Sequence, residues 1–189
     1  MAELILVLGG ARSGKSAYAQ RLAEELGGRK VLFVATAEAR DNEMRERIRI
    51  HQRERPDGWE TIEAPMQVSR ALADAKPGAC VVLLDCVTLL VSNIMLAQGE
   101  SPELTKVEHE IMDEMRAIIA WVKEQETTLI AVSNEVGEGV VPPYPLGRMY
   151  RDLLGRANCL LAAQADRVYM MFAGLPVELK ALMADHGHF

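Results

Sequence analysis

The stretch Leu4-Ile5-Leu6-Val7-Leu8-Gly9-Gly10-Ala11-Arg12-Ser13-Gly14-Lys15-Ser16 joins a short apolar run to a glycine-rich turn that opens onto a helical pattern. Residues 4–8 read as a buried strand. From Lys15 on, Ala19, Leu22, Ala23 and Leu26 recur at helical spacing, and Gly27-Gly28 marks the stop. Between strand and helix, Gly9 to Ser16 fits Gly-x4-Gly-Lys-Ser, the pattern of a phosphate-binding loop in its required context. Glycines let successive backbone N–H groups curl around phosphate oxygens, and the helix N-terminus adds a favourable dipole. Lys15 is then the residue that reaches the β and γ phosphates, and the Ser16 hydroxyl a ligand for Mg2+.

Outward from this loop, apolar runs and helical patterns alternate, which predicts a mostly parallel central sheet flanked by helices, an α/β fold of the P-loop NTPase class. Residues 31–35, 81–84, 127–132 and 168–172 read as further strands. Asp85 follows Val81-Val82-Leu83-Leu84, the place of a metal-shell acid at a strand end, holding Mg2+ directly or through water. Leu104, Val107, Ile111, Met115, Ile118 and Val122 form a long amphipathic stripe, read as core. Residues 137–147, with three prolines and three glycines, read as a functional loop. Neither a repeat nor a linker interrupts the pattern, so residues 1–189 are expected to form one catalytic domain.

Composition bounds the function. The 189 residues are 49% hydrophobic and 25% charged, with a net charge of −6, which suits a globular protein and argues against a nucleic-acid-binding face. No apolar run reaches the roughly 18 residues of a membrane span, and residues 1–3 lack a basic leader, so a cytoplasmic location is expected. Cys80, Cys86 and Cys159 lack metal-ligand spacing and read as reduced, mostly buried thiols.

Residues 42–55 read as a charged helix stopped before Pro56. On it, Arg47 and Arg55 lie four residues either side of His51 and share its face. Two guanidinium groups push an imidazole toward its neutral, nucleophilic form. The same pattern also describes a solvated histidine on a charged surface helix, and spacing alone leaves both open. His109, among Glu108, Glu110 and Lys106, reads as a surface residue, and His186 and His188 are assigned no role.

Together these segments resemble the adenosylcobinamide kinase/adenosylcobinamide-phosphate guanylyltransferase family. The resemblance is carried by residues 8–16, Ala35-Thr36-Ala37, His51-Gln52-Arg53-Glu54-Arg55-Pro56, and Trp59 with Thr61-Ile62-Glu63. It continues through Asp85-Cys86-Val87-Thr88-Leu89, Ser92-Asn93, and Ser133-Asn134-Glu135-Val136-Gly137-Glu138-Gly139-Val140-Val141-Pro142 to Gly174-Leu175-Pro176 and Leu179-Lys180. It implies a RecA-like P-loop fold, phosphorylation of adenosylcobinamide by ATP or GTP, and then transfer of GMP from GTP through a guanylylated His51. It also implies that Gln52, Arg53, Glu54, Arg55, Glu63 and Asp85 help hold the nucleotide, with Ala35, Thr36 and Ala37 nearby, and that the protein is a homo-oligomer, a trimer. Pro143-Tyr144-Pro145-Leu146-Gly147-Arg148 departs from the Glu-Asn then Leu-Ala-Arg usual in the family, and Cys159 stands where glutamine is usual. Two rival readings make different demands. A plain P-loop small-molecule kinase forms no covalent nucleotide adduct, and a RecA-like regulatory NTPase turns over under a macromolecular partner without a corrinoid.

Overall fold

All six residues of strand β1 (Leu4–Gly9) are buried, as a strand covered on both faces requires. The computed structural model describes residues 2–39, 42, 45–46, 48–49, 55–56, 58–75, 78–99 and 102–183. After β1 come α1 (Lys15–Gly27), β2 (Val31–Ala35), β3 (Glu60–Glu63), α2 (Val68–Ala75), β4 (Val81–Asp85), α3 (Val87–Ala97) and α4 (Leu104–Glu124). They are followed by β5 (Thr128–Asn134), α5 (Pro145–Gln164), β6 (Arg167–Phe172), β7 (Leu175–Glu178) and the short α6 (Leu179–Leu182). The described strands form one seven-stranded sheet in the order β3-β2-β4-β5-β1-β6-β7. Every pairing is parallel except β6 with β7.

Side-chain alternation sorts β1 between two cores. Leu4, Leu6 and Leu8 pack with α2, α3, α4 and α5 on one face. Ile5 and Val7 pack with Ala19, Leu22 and Ala23 of α1 on the other. Residues 107, 111, 115, 118 and 122 of the long stripe are all buried in the first of these cores, as read from their spacing. No helix among the described residues is long and apolar enough to cross a membrane.

Several expectations need correction. Leu26 is 46% exposed. A Cβ at Gly27 would lie 2.8 Å from Val31 and 2.9 Å from Val81, so α1 meets the sheet through positions 19, 23 and 27, one helical row that excludes Leu26. Leu104 opens α4 and is 45% exposed, unlike the rest of its stripe. Cys80 and Cys159 are exposed. Cys80 lies in the turn ahead of β4, and Cys159 on the side of α5 opposite Ala157 and Leu161, so an apolar neighbourhood in sequence did not mean burial. All three cysteines are free thiols. The loop read over 137–147 ends earlier, since Pro145 begins α5 at a position where its missing N–H costs nothing. Within 42–55, Asn42, Arg45, Glu46, Ile48 and Arg49 are helical and Arg55 is not.

Candidate active site

Three strand ends place their last residues in one row. Ala35 of β2 is in register with Glu63 of β3 on one side and with Asp85 of β4 on the other. Asp85 is in turn level with Val132 of β5, and two residues on, Asn134 is level with Gly9, where the phosphate loop leaves β1. Parallel strands thus deliver all these positions to the same carboxyl edge of the sheet, where open α/β sheets bind their ligands.

Above that edge lies a cavity of about 840 Å3. It is lined by Ala11 to Ser16, Ala35, Ala37, Arg55, Glu63 and Asp85, all read from the sequence as site residues, and also by Phe33, Ala39, Ile48, Cys86, Thr88, Leu89 and Asn134. Gly9, Gly10 and Thr36 do not line it. Gly9 supports the loop from beneath: a Cβ there would lie 2.5 Å from Ser13 Oγ. Gly10 gives its carbonyl to Lys15 Nζ at 3.2 Å. Thr36 is fully buried; its hydroxyl donates to the Cys86 carbonyl at 2.7 Å and accepts the Cys86 amide at 2.8 Å. It therefore locks the backbone directly after Asp85. His51, Gln52, Arg53 and Glu54 lie outside the described residues, as do Arg47, His186 and His188. His109 is exposed on α4, as expected.

The loop is shaped for an anion. Gly14 sits at φ 88 with no described side chain capping α1, so the first-turn amides of the helix have no partner within it. Ser13 Oγ is buried and has no hydrogen-bond partner among the described residues. Burial lowers the pKa of Lys15, against the opposing pull of Cys86 and the Asp85 carboxylate. A phosphate in the loop would relieve the desolvated ammonium.

At the other end, the Arg55 guanidinium carbon stands 3.9 Å over the Phe33 ring, a cation–π contact. Burial lowers the Arg55 pKa too, and Asp85 and Glu63 work against that. Its Nε is buried without a partner among the described residues. Between the two ends, burial pushes the Cys86 thiol up to about 11, with the Asp85 charge adding to the shift. Cys86 thus stays a neutral thiol, and the oxygen set of Ser16 and Asp85 suits Mg2+, a hard cation that binds through one or two protein oxygens plus substrate phosphates.

The residues that sequence reading missed share a cause. Phe33, Thr88 and Asn134 are ordinary in composition, and only the strand order brings them to the phosphate loop. Both departures from the family pattern fall away from it. Cys159 is on the surface, and Arg148 donates to the carbonyls of Pro142 at 3.0 Å and Pro143 at 2.8 Å, fixing the altered loop.

A strand, glycine loop, lysine-serine helix start and strand-end aspartate converging on one cavity define a P-loop nucleotide-using enzyme. A family model described as cobinamide kinase / cobinamide phosphate guanyltransferase matches residues 5–179. The chain is 37% identical over 183 residues to the bifunctional adenosylcobalamin biosynthesis protein CobU of Escherichia coli (strain K12), covering 94% of this chain and 99% of that protein. It is 38% identical to the protein of the same name from Salmonella typhimurium, with the same coverage. To the bifunctional adenosylcobalamin biosynthesis protein CobP of Pseudomonas aeruginosa it is 42% identical over 176 residues, 93% of this chain and 96% of that one. The chain belongs to this family of bifunctional cobinamide kinase and guanylyltransferase enzymes of cobalamin biosynthesis.

Proposed function

We propose that one domain performs both reactions at the carboxyl edge of its sheet, with adenosylcobinamide as phosphate acceptor and His51 as carrier of GMP. The observation that carries this reading is the row Glu63–Ala35–Asp85, which shares one cavity with Lys15 and Ser16. At neighbouring-strand spacings of about 4.8 Å, the row gives a nucleotide a base end near Glu63 and a phosphate end at the loop.

In the kinase step the acceptor hydroxyl oxygen attacks the γ phosphorus of ATP or GTP. The new O–P bond forms as the β–γ bridging bond breaks, the electron pair leaves with the nucleoside diphosphate, and the hydroxyl proton passes to water. Lys15 stabilises negative charge on the phosphate oxygens, and the amides of residues 11–16 hold them in place. Ser16 and Asp85 would hold Mg2+, which supplies further charge neutralisation at the phosphates.

In the second reaction a neutral His51 nitrogen attacks the α phosphorus of GTP. The N–P bond forms and pyrophosphate leaves with the bridging electron pair. An oxygen of adenosylcobinamide phosphate then displaces the histidine. Ile48 and Arg55 flank His51 in sequence and both line the cavity, which supports this assignment. Arg55 suits phosphate contact, with Gln52, Arg53 and Glu54 adjoining, and the Glu63 carboxylate suits the N1 and N2 donors of guanine. Thr36 lies between Ala35 and Ala37, which line the cavity, and its hydroxyl holds the Cys86 backbone. A trimeric assembly, on the strength of family resemblance, and a cytoplasmic location, on the lack of an apolar span and of a basic leader in the sequence, complete the proposal.

The test incubates wild type and His51→Ala with Mg2+ and GTP labelled at the α or the γ phosphate. Wild type is expected to retain α label alone, in an acid-labile and alkali-stable bond, and His51→Ala to lose it while still binding GTP. Wild type that binds GTP normally yet takes up no α label would overturn the histidine route.

A further inference from the structure

The cations lining the cavity are Arg12 and Lys15 on the phosphate loop and Arg55 at the far end, beside Glu63. Two of them are engaged. Lys15 Nζ donates to the Gly10 carbonyl at 3.2 Å, and Arg55 lies over Phe33 and donates to Thr61 Oγ1 at 3.4 Å. Arg12 is exposed and makes no hydrogen bond or ion pair among the described residues. It is also the loop's only non-glycine residue at positive φ, at 57, a conformation that is strained for a side chain and collects at functional sites. The backbone holds it there. The Ser13 amide donates to the Gly10 carbonyl at 3.3 Å, closing a turn around Arg12, and the Ser13 carbonyl accepts the Gly174 amide at 3.0 Å.

On the histidine route, the α phosphorus of GTP is displaced twice. An in-line displacement sets the attacking and leaving atoms on opposite faces of the phosphorus. The His51 nitrogen enters opposite the departing pyrophosphate. The second nucleophile expels His51, so it must enter from the face that the pyrophosphate left. The attacking oxygen of adenosylcobinamide phosphate therefore takes the place of the leaving oxygen, and its phosphorus takes the place of the β phosphorus. That place lies in the phosphate loop. Pyrophosphate and the corrinoid phosphate exclude each other from it, by bulk and by like charge. A second cavity, of about 450 Å3 beside α3 and α4, offers the corrinoid phosphate no alternative, because Glu110, Asp113 and Glu114 line it and repel an anion.

We propose that the phosphate loop is also the receptor for the corrinoid phosphate in the second reaction, occupied in turn by pyrophosphate and by adenosylcobinamide phosphate, with Arg12 holding the latter. The proposal rests on the histidine route above. In this step an oxygen of the corrinoid phosphate attacks the α phosphorus carried by His51. The new O–P bond forms as the P–N bond breaks, its electron pair returns to the His51 nitrogen, and the product is a diphosphate joining corrinoid to guanosine. A guanidinium offers two parallel N–H donors, which match two phosphate oxygens and leave a third to attack. Lys15 keeps a phosphate partner in both halves of the cycle. The shared site also sets the order of events, since the corrinoid phosphate enters only after pyrophosphate has gone.

Calorimetric titration of the full chain tests it, with adenosylcobinamide phosphate and adenosylcobinamide as separate probes at fixed free Mg2+. Pyrophosphate at about ten times its own Kd should raise the apparent Kd of the phosphorylated corrinoid about tenfold, as competition for one site requires. Adenosylcobinamide, which brings no phosphate, should stay within about twofold. Arg12→Gly should weaken adenosylcobinamide phosphate by about tenfold or more and leave adenosylcobinamide within about twofold. Its urea midpoint should hold or rise, since glycine adopts a φ of 57 freely, so a loss of affinity is not a loss of fold. Arg12→Lys keeps the charge without the fork and should lose less than Arg12→Gly. Adenosylcobinamide phosphate that binds unchanged beside saturating pyrophosphate, or shows no measurable affinity, overturns the proposal. So does pyrophosphate that weakens both corrinoids alike, or an Arg12→Gly that binds the phosphorylated corrinoid as wild type does. Wild type that retains no α label overturns the histidine route instead; the titrations contain no GTP and judge the loop separately.

Discussion

The amide of Gly174 donates to the carbonyl of Ser13 at 3.0 Å, so the turn between β6 and β7 is clasped to the phosphate loop. Both Ala173 and Gly174 adopt positive φ in that turn, at 49 and 85. The loop and the turn meet at glycines on each side: a Cβ on Gly14 would come within 3.3 Å of the Gly174 Cα.

Gly14→Ala should therefore suffer twice. Its φ of 88 is left-handed, which costs a side chain about 1–2 kcal/mol, and the new methyl presses on Gly174. We expect unfolding free energy to drop by about 1–3 kcal/mol and GTP affinity by tenfold or more. Urea titration and equilibrium binding measure the two, and a variant matching wild type in both would show that the clasp exerts no constraint.

Lys15 gives a prediction with a definite sign. Its pKa is lowered in the folded protein because burial disfavours the ammonium. Over the pH window between that lowered value and the ordinary 10.5 of the unfolded chain, the unfolded state binds more protons, so stability rises with pH. Below the window the full cost of the charged, partly buried ammonium is present. Lys15→Met keeps the stem without the charge. It should be more stable than ligand-free wild type at pH 7, and that advantage should shrink as pH rises toward 10.5. Denaturation of both proteins across that range decides the matter. An advantage that grows with pH would mean that the lysine is not desolvated.

The cysteines should separate by reactivity. With its thiol pKa at about 11, Cys86 holds only about one thiolate per thousand molecules at pH 8. Cys80 and Cys159 are exposed. Iodoacetamide at pH 8 is expected to label Cys80 and Cys159 and spare Cys86, with Cys86 labelling appearing as pH approaches 11. Peptide mapping after timed quenching reads this directly, and rapid modification of Cys86 at pH 8 would contradict it.

Much of the site was legible because its signals are local. Residues 4–16 carry strand, loop and helix start in unbroken order, and Asp85 ends an apolar run with nothing else to explain it. What escaped was set by tertiary context. Residues 87–97 form a helix with seven buried positions spread round it, so no polar face marks its period. Strand β3 is four residues long, mostly exposed, and sits at the sheet edge, where alternation is too brief to read. Asn134 belonged to a quoted segment, yet its place in the cavity lining depends on β5 lying between β1 and β4, which no local pattern encodes. Cys80 and Cys159 misled because an apolar neighbour along the chain is a poor guide to which way a side chain turns.

Strand β1 lies between β5 and β6, and its first residue, Leu4, donates its amide to Asp166 Oδ2 at 2.7 Å across 162 positions of sequence. A ribosome making this chain therefore produces the phosphate loop long before it produces either strand that will hold it. The loop must wait, unsupported, until residue 172 has cleared the exit tunnel. Nucleotide binding thus follows the synthesis of both neighbouring strands, and a nucleotide present during synthesis can reward only chains already extended past residue 172.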